Sequence, residues 1–382
     1  MNFDYTEEQT LLAESVRRLI EKEYSFEARK KLLAGSQHGA ASAASGAVWA
    51  QFAEMGLLSI PLPSAYDGYG GGAVDLIGVM EAFGDGLVTE PYLATVVLGA
   101  RTVAIAGNDA QKRELLPKVS GGNLKLALAI GEQEARYNLA HCETRATREG
   151  NDWSLSGRKM VVLGAPEADK IIVCARVSGA VAEPQGLALF LVDRSASGVS
   201  MAPYRTFDDL SAGDVTLNKV RVAAAGLIGE AGRALPIIEE VTDFAIAVAS
   251  AEAVGAMDYA NKATLEYIKG RKQFGQAIGA FQALQHRMVD MTISAAQARS
   301  MVYLACTSVN GELTAAERGR RLAAVKIKVA DAARHVSQEA IQLHGGMGMT
   351  EELKISHTFR RLTMLARRFG DADYHLDRFI TA

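Results

Sequence analysis

The side chains best suited to holding an anion lie in the stretch Arg271 to His286, RKQFGQAIGAFQALQH. A long Ala-rich helical run, Phe244 to Lys269, precedes it, and another begins near Phe281. Phe274, Gly275 and Gly279 between them predict a sharp turn. Arg271 and Gln273 are therefore expected at a helix end beside a turn, where backbone donors are free. That arrangement suits a pyrophosphate or a similar anion, although a solvated cap is the plainer reading of such an arginine. A second group, Gln342-Leu343-His344-Gly345-Gly346-Met347-Gly348, would let backbone N–H groups approach a phosphate closely, or would simply close a helix. Proton transfer needs a carboxylate or an imidazole, and few are placed for it. Asp371 and Asp373 read readily as helix-capping or turn residues. Glu252 lies in an apolar helical stretch and reads as a partly buried structural carboxylate. His286, His344, His357 and His375 have no metal-ligand spacing and are expected in ordinary hydrogen bonds. Cys142, Cys174 and Cys306 are too few and too scattered for a disulfide framework or a zinc site, and are expected as reduced thiols.

The elements that must position these residues follow from periodicity. Thr6 and Gln9 have capping-box spacing, and Leu11, Leu12, Val16, Leu19 and Ile20 follow on one helical face. A Gly- and Tyr-rich loop, Tyr66 to Gly72, interrupts helical text that then resumes to about Leu116. From Leu126 to Val222 the period changes. Asp152 to Leu163, Lys170 to Val177, Leu187 to Val192 and Asp214 to Val222 alternate or run β-branched, with turns expected at Gly150, Gly157, Gly164 and Gly198. After Gly229 and Gly232 the text is helical again, with few breakers before Gly345. No internal repeat or low-complexity linker divides the chain. The 382 residues, 49% hydrophobic and 22% charged, suit a soluble chain of two or three domains. A net charge of −3 with no basic tract argues against nucleic acid. The acidic N-terminus, MNFDYTEEQT, lacks an apolar signal core, and no run is long enough to span a membrane, so a cytoplasmic protein is expected.

The wording of Arg271-Lys272-Gln273-Phe274-Gly275 closely resembles the acyl-CoA dehydrogenases, flavoenzymes that desaturate acyl-CoA thioesters. The likeness covers nearly the whole chain. Gly56-Leu57-Leu58 with Gly68-Tyr69-Gly70 looks like the family's loop between early helices, and Gln342 to Gly348 looks like its second nucleotide-contacting motif. The resemblance implies an α+β fold: an N-terminal helical domain over 1–122, a middle β-barrel-like domain over 123–230 and a C-terminal four-helix bundle over 231–382. It also implies FAD lying across a subunit interface, its pyrophosphate and adenosine end held by one subunit and its ring by the neighbour's β-domain. Arg271, Gln273, Phe274, Gln342, Gly345 and Gly346 would be the cofactor-binding residues lent to that neighbour.

The chain departs from the family where its own flavin ring should sit. Gly131-Glu132-Gln133-Glu134-Ala135-Arg136-Tyr137-Asn138 replaces the family's Thr-Glu-Pro-x-Ala-Gly-Ser-Asp, leaving no Gly-Ser pair. Val161-Val162-Leu163 replaces Trp-Ile-Thr, whose hydroxyl residue bonds the flavin's hydride-accepting nitrogen in the family. The family's catalytic glutamate aligns with Asp371, shorter by one methylene, and the alternative base position on the first bundle helix aligns with Ala245, beside Ile246. Three readings follow. The chain is one subunit of an α2β2 acyl-CoA dehydrogenase, similar to the small subunit of pimeloyl-CoA dehydrogenase; or a homo-oligomer with its own FAD and Asp371 as base; or a non-catalytic scaffold. The resemblance implies an acyl-CoA substrate and an electron-transfer flavoprotein as acceptor. It fixes neither the acyl chain nor the choice between dehydrogenase and oxidase.

Overall fold

The computed structural model describes residues 5–35 and 43–381, so the start of the acidic N-terminal stretch lies outside the described residues. The chain condenses into two compact units, and each is threaded from separate stretches of sequence. The first comprises residues 1–30, 73–88 and 246–382; the second comprises 31–72 and 89–245.

In the first unit, α1 (Glu7–Glu23) opens on the expected capping box, with Thr6 and Gln9 exchanging side-chain and backbone hydrogen bonds. Its buried face is Ala13, Val16 and Ile20. Leu11 departs from the expectation and is exposed. The helix α2 (Phe26–Gly35) follows, then α3 (Ala43–Glu54) in the second unit, and α4 (Ile77–Gly86) returns to the first. Every residue of α4 but Asp85 is buried, as its apolar composition demands.

The second unit carries a π-helical stretch, Leu93–Ala100, running into α5 (Arg101–Ala106), and then α6 (Asp109–Ser120), capped by Asn108 and Gln111. Eight strands follow: β1 (Leu126–Ala129), β2 (Arg145–Glu149), β3 (Asp152–Leu163), β4 (Lys170–Arg176), β5 (Leu187–Asp193), β6 (Val199–Arg205), β7 (Ser211–Val222) and β8 (Leu227–Ile228). They form one sheet in the order β6-β7-β3-β2-β4-β5-β8, with β1 added parallel to β4. Leu155, Ile171, Val173, Phe190, Val215 and Val220 belong to its core. Gly157 corrects a sequence expectation: it lies inside β3 rather than in a turn. A side chain there would meet the Thr144 Cα at 2.6 Å, so close strand approach explains the glycine.

Two buried cations brace this sheet. Lys159 donates to Glu132 Oε1 at 2.7 Å, and Thr144 Oγ1 donates to the same oxygen at 2.6 Å. Burial opposes the Glu132 charge, but the Lys159 ammonium and these hydrogen bonds hold its pKa at about 2. Arg176, fully buried, donates to the carbonyls of Ala140, Cys142, Ser178, Val181, Glu183 and Gln185 at 2.7–3.2 Å. One guanidinium thereby fastens two loops that have few strand partners of their own. Cys142, Cys174 and Cys306 are free and buried.

The C-terminal bundle belongs to the first unit apart from the start of its first helix. It consists of α7 (Leu235–Gly270), a hairpin of β9 (Lys272–Gln273) and β10 (Gln276–Ala277), then α8 (Gln282–Asn310), α9 (Ala315–His344), α10 (Lys354–Arg367) and α11 (Ala372–Thr381). Where α4 crosses α7 the backbones touch. A Cβ on Gly84 would meet the Glu252 carbonyl oxygen at 1.9 Å, and one on Gly255 would meet that of Glu81 at the same distance. Charged groups near this crossing are paired: Glu252 with Arg361, and Glu81 with Arg299.

Candidate functional site

The helix α7 stops at Gly270, and the Arg271 N–H closes its last turn on the Tyr267 carbonyl at 2.8 Å. Phe274 and Gly275, with φ of 52° and 82°, form a two-residue connection between β9 and β10. Positive φ at both central residues is the geometry that matches hairpin twist, and glycine adopts it freely. Arg271, Lys272 and Gln273 are exposed, and Phe274 is 89% exposed, touching the Phe281 ring edge-on. One expectation is corrected here. Arg271 follows a helix C-terminus, which offers carbonyl oxygens rather than free N–H donors, so anion attraction at this end comes from the Arg271 and Lys272 cations and the Gln273 amide.

The second motif arrives from α9. Gly345, with φ of 60°, caps that helix by donating to the carbonyls of Gln342 and Ile341, and a short 3-10 turn runs on to Met349. The His344 ring bonds the Ala340 carbonyl at 2.8 Å and stacks on Tyr267, with centroids 4.3 Å apart. Tyr267 lies one turn before Arg271, so this stack brings the two motifs to one end of the bundle. Gln342, Gly345 and Gly346 line that end, and a Cβ on either glycine would meet nothing within 4 Å. The result is an open, cationic, amide-bearing surface with bare backbone. Its donor set fits the anionic end of a dinucleotide.

The acid–base candidates sit elsewhere in the chain. Asp371 precedes α11 and accepts the Tyr374 N–H at 2.9 Å, so one carboxylate oxygen caps that helix. Phe369 and Gly370 just before it have φ of 63° and 116°, and His375 bonds the Phe369 carbonyl at 2.9 Å. Nearby Lys326 donates to the Leu365 carbonyl; burial, then repulsion from Arg368, pulls its pKa down to about 7. Asp373 is exposed. Ala245 and Ile246 are buried apolar residues of α7 and have no acid–base chemistry. Glu252, buried and paired with Arg361, has the structural role its setting suggests. His357 and His375 are hydrogen bonded and His286 is exposed; no metal-holding group of His, Cys, Asp and Glu occurs among the described residues.

In the second unit, the segment 131–138 folds as turns, with Glu132 turned into the Lys159 cluster. An irregularity in β3 between Lys159 and Val162 leaves Val161 exposed, with φ of 51° and its N–H on Asp214. Leu163 lines a small pocket of about 20 Å³ together with Glu90, Pro91, Leu93, Leu210 and Ser211. Sequence reasoning missed Glu90, although an acid inside the apolar run from Leu87 to Leu98 was a visible signal.

Comparison with known proteins decides what this scaffold is. The N-terminal, middle and C-terminal domains of acyl-CoA dehydrogenase match residues 6–123, 127–220 and 217–380. The chain belongs to the acyl-CoA dehydrogenase family. Acyl-CoA dehydrogenase FadE12 of Mycobacterium tuberculosis is 30% identical over 333 residues, covering 84% of this chain and 83% of that protein. Among solved structures, a variant of the Tcur3481–Tcur3483 steroid ACAD aligns with a TM-score of 0.86 at 27% identity, covering 98% of this chain and 97% of that one. The ChsE4–ChsE5 complex from Mycobacterium tuberculosis aligns at 0.88 and 23% identity, covering 100% and 98%. Acyl-CoA dehydrogenases are FAD-dependent oxidoreductases of lipid metabolism, and the expected fold of helical domain, β-domain and helical bundle is the one observed. No helix among the described residues is long and apolar enough to cross a membrane.

Proposed function

We propose that this chain is one subunit of a heteromeric acyl-CoA dehydrogenase. In this reading Arg271, Gln273, Phe274, Gln342, Gly345 and Gly346 serve the FAD of an unlike partner subunit. The observation that carries it is the convergence of both motifs on one open end of the bundle. The chain's own β-domain, by contrast, has Leu163 and a displaced Val161 where a hydroxyl and an aromatic ring would serve a flavin. Two solved relatives are named as pairs of chains, Tcur3481–Tcur3483 and ChsE4–ChsE5. The reading extends to a likeness with the small subunit of pimeloyl-CoA dehydrogenase, a cytoplasmic setting, and an electron-transfer flavoprotein as acceptor.

Bound FAD would supply the hydride-accepting step of α,β-desaturation. The residues of this chain would hold the pyrophosphate through Arg271, offer amides at the nucleotide's polar edges through Gln273 and Gln342, and cover an apolar face with Phe274. If the chain also houses a substrate of its own, Asp371 is the carboxylate on which proton removal would rest. The test is to purify the chain alone and with its genomic neighbour and to measure flavin absorbance per protomer. Half-stoichiometric FAD found only in the co-complex supports the proposal. Stoichiometric FAD in the isolated chain defeats it in favour of the homo-oligomer, and none in either preparation leaves the scaffold. In the co-complex, Arg271→Ala should weaken FAD retention by about tenfold or more, the scale of one lost charge-assisted hydrogen bond.

A further inference from the structure

The helix α8 is 29 residues long and carries three charged side chains, Arg287, Asp290 and Arg299. Arg287 turns to Glu339, and Arg299 to Glu81 and Asp258, so both arginines are engaged within their own chain. One face of the helix is buried through Met288, Met291, Ala295, Ala298 and Val302. The opposite face of a surface helix is ordinarily its charged one. Here it is a stripe of Gln282, His286, Val289, Ile293, Ala296 and Ser300, all exposed, with Val289 at 54% and Ile293 at 48%.

Steps of four, three, four, three and four residues separate the members of this stripe. Such alternation holds side chains in one seam about 27 Å long, suited to interdigitate with another helix crossing at about 20°. The seam itself carries no carboxylate, ammonium or guanidinium, which is the composition of the covered centre of an interface. The helices in contact with α8 pair charges of their own: Glu266 with Lys269 on α7, and Asp331 with Arg334 on α9. A fitting occupant is therefore an uncharged helical seam rather than a basic or acidic surface.

The order of residues identifies that occupant. Read from either end, the stripe repeats in kind: Gln282 answers Ser300, His286 answers Ala296, and Val289 answers Ile293. Two copies laid antiparallel would place polar groups together at the ends, a ring against a methyl next, and hydrocarbon against hydrocarbon at the centre. A two-fold axis demands such self-complementarity, because the same patch serves on both sides. We propose that α8 is the seam through which this chain pairs with a second copy of itself, antiparallel and centred on Val289 and Ile293. The pairing rests on the heteromeric reading only for stoichiometry: an α2β2 enzyme holds two copies of this chain, and the seam joins its two αβ halves. Asp290, exposed beside the centre, then lies near its own copy across the axis and works against the contact.

The test uses the assembled complex of this chain with its genomic neighbour. Combining Val289→Cys with Ile293→Cys sets new thiols opposite one another across the axis, so mild oxidation should link this chain into a covalent dimer. Cys142, Cys174 and Cys306 are buried and give little background. Either single variant should link poorly, since identical positions lie about one helical turn apart. A single variant that links as well as the double means a parallel seam, and no dimer from the double means that another surface, such as the unlike subunit, covers α8. Either result overturns the proposal. Sedimentation gives a second measure. Ile293→Glu buries two unpaired carboxylates at the axis and should raise the dissociation constant between αβ halves about a hundredfold or more, with flavin per αβ pair unchanged. Asp290→Asn should lower it about twofold. Tetramers indifferent to Ile293→Glu, or halves that lose flavin with it, overturn the assignment. The cofactor reading fails separately. A complex without flavin whose double variant still links keeps the seam and loses the FAD proposal, and one loaded with flavin whose double variant does not link does the reverse.

Discussion

At the scale of single residues, Asp371 carries two possible duties that different substitutions separate. Its carboxylate accepts the Tyr374 N–H, a capping bond that asparagine preserves and alanine does not. Asp371→Ala should therefore cost about 1 kcal/mol of stability, and Asp371→Asn much less, read from denaturant midpoints. If Asp371 is also a base, Asp371→Asn should abolish turnover in the co-complex while leaving the midpoint nearly unmoved. Intact turnover would place the base in the partner or elsewhere in this chain. The candidate nucleotide-binding residues were legible because Arg271 to Gly275 and Gln342 to Gly348 are local motifs whose letters carry their meaning. Glu90 was not, because its pocket exists only once β3 and β7 fold against a segment far away in sequence.

At the scale of elements, the strands that announced themselves were those with β-branched or alternating text buried on a face, as in β3, β4 and β5. The strand Arg145–Glu149 had no such sign, since only Ala146 of it is buried. Nor did Val199–Arg205, an edge strand containing Pro203 and largely solvent-facing. Gly157 looked like a turn because a glycine that permits close strand approach and a glycine that permits a turn are the same letter. The helix crossing at Gly84 and Gly255 was equally hidden, and it supports a sharp prediction. Gly84→Ala would drive a methyl into the Glu252 carbonyl of α7, and neither backbone can withdraw without moving a helix. The expected loss is about 3 kcal/mol, at the upper end for overpacking, measurable as a lowered denaturant midpoint. An unchanged midpoint would mean that α4 and α7 do not touch as described.

At the scale of the whole molecule, the buried acid Glu90 should leave a mark on stability as a function of pH. Its folded pKa, about 8, lies above the ordinary carboxylate value of 4.5. Between those values the native state binds the proton that the unfolded state has released, so this group makes stability fall as pH rises through that window, by roughly 1.4 kcal/mol per unit at most. Below about 4.5 and above about 8 its slope vanishes. Lys326 acts oppositely: its pKa, lowered from 10.5 to about 7, makes stability rise with pH across that interval. The difference between wild type and Glu90→Gln isolates the first effect. The variant should match wild type near pH 5 and exceed it near pH 8; a constant difference would place Glu90 in water.

The interleaved threading of the two units bears on how such a chain can change over evolutionary time. The path passes between them at 30/31, 72/73, 88/89 and 245/246, so neither unit is a continuous piece of gene. Recombination with a relative at any one of these junctions would build at least one unit from two parents, with each buried contact at the seam drawn from sequences that never adapted to one another. New specificity is therefore reached more readily by substitution within the chain, or by exchanging the entire polypeptide, than by shuffling modules.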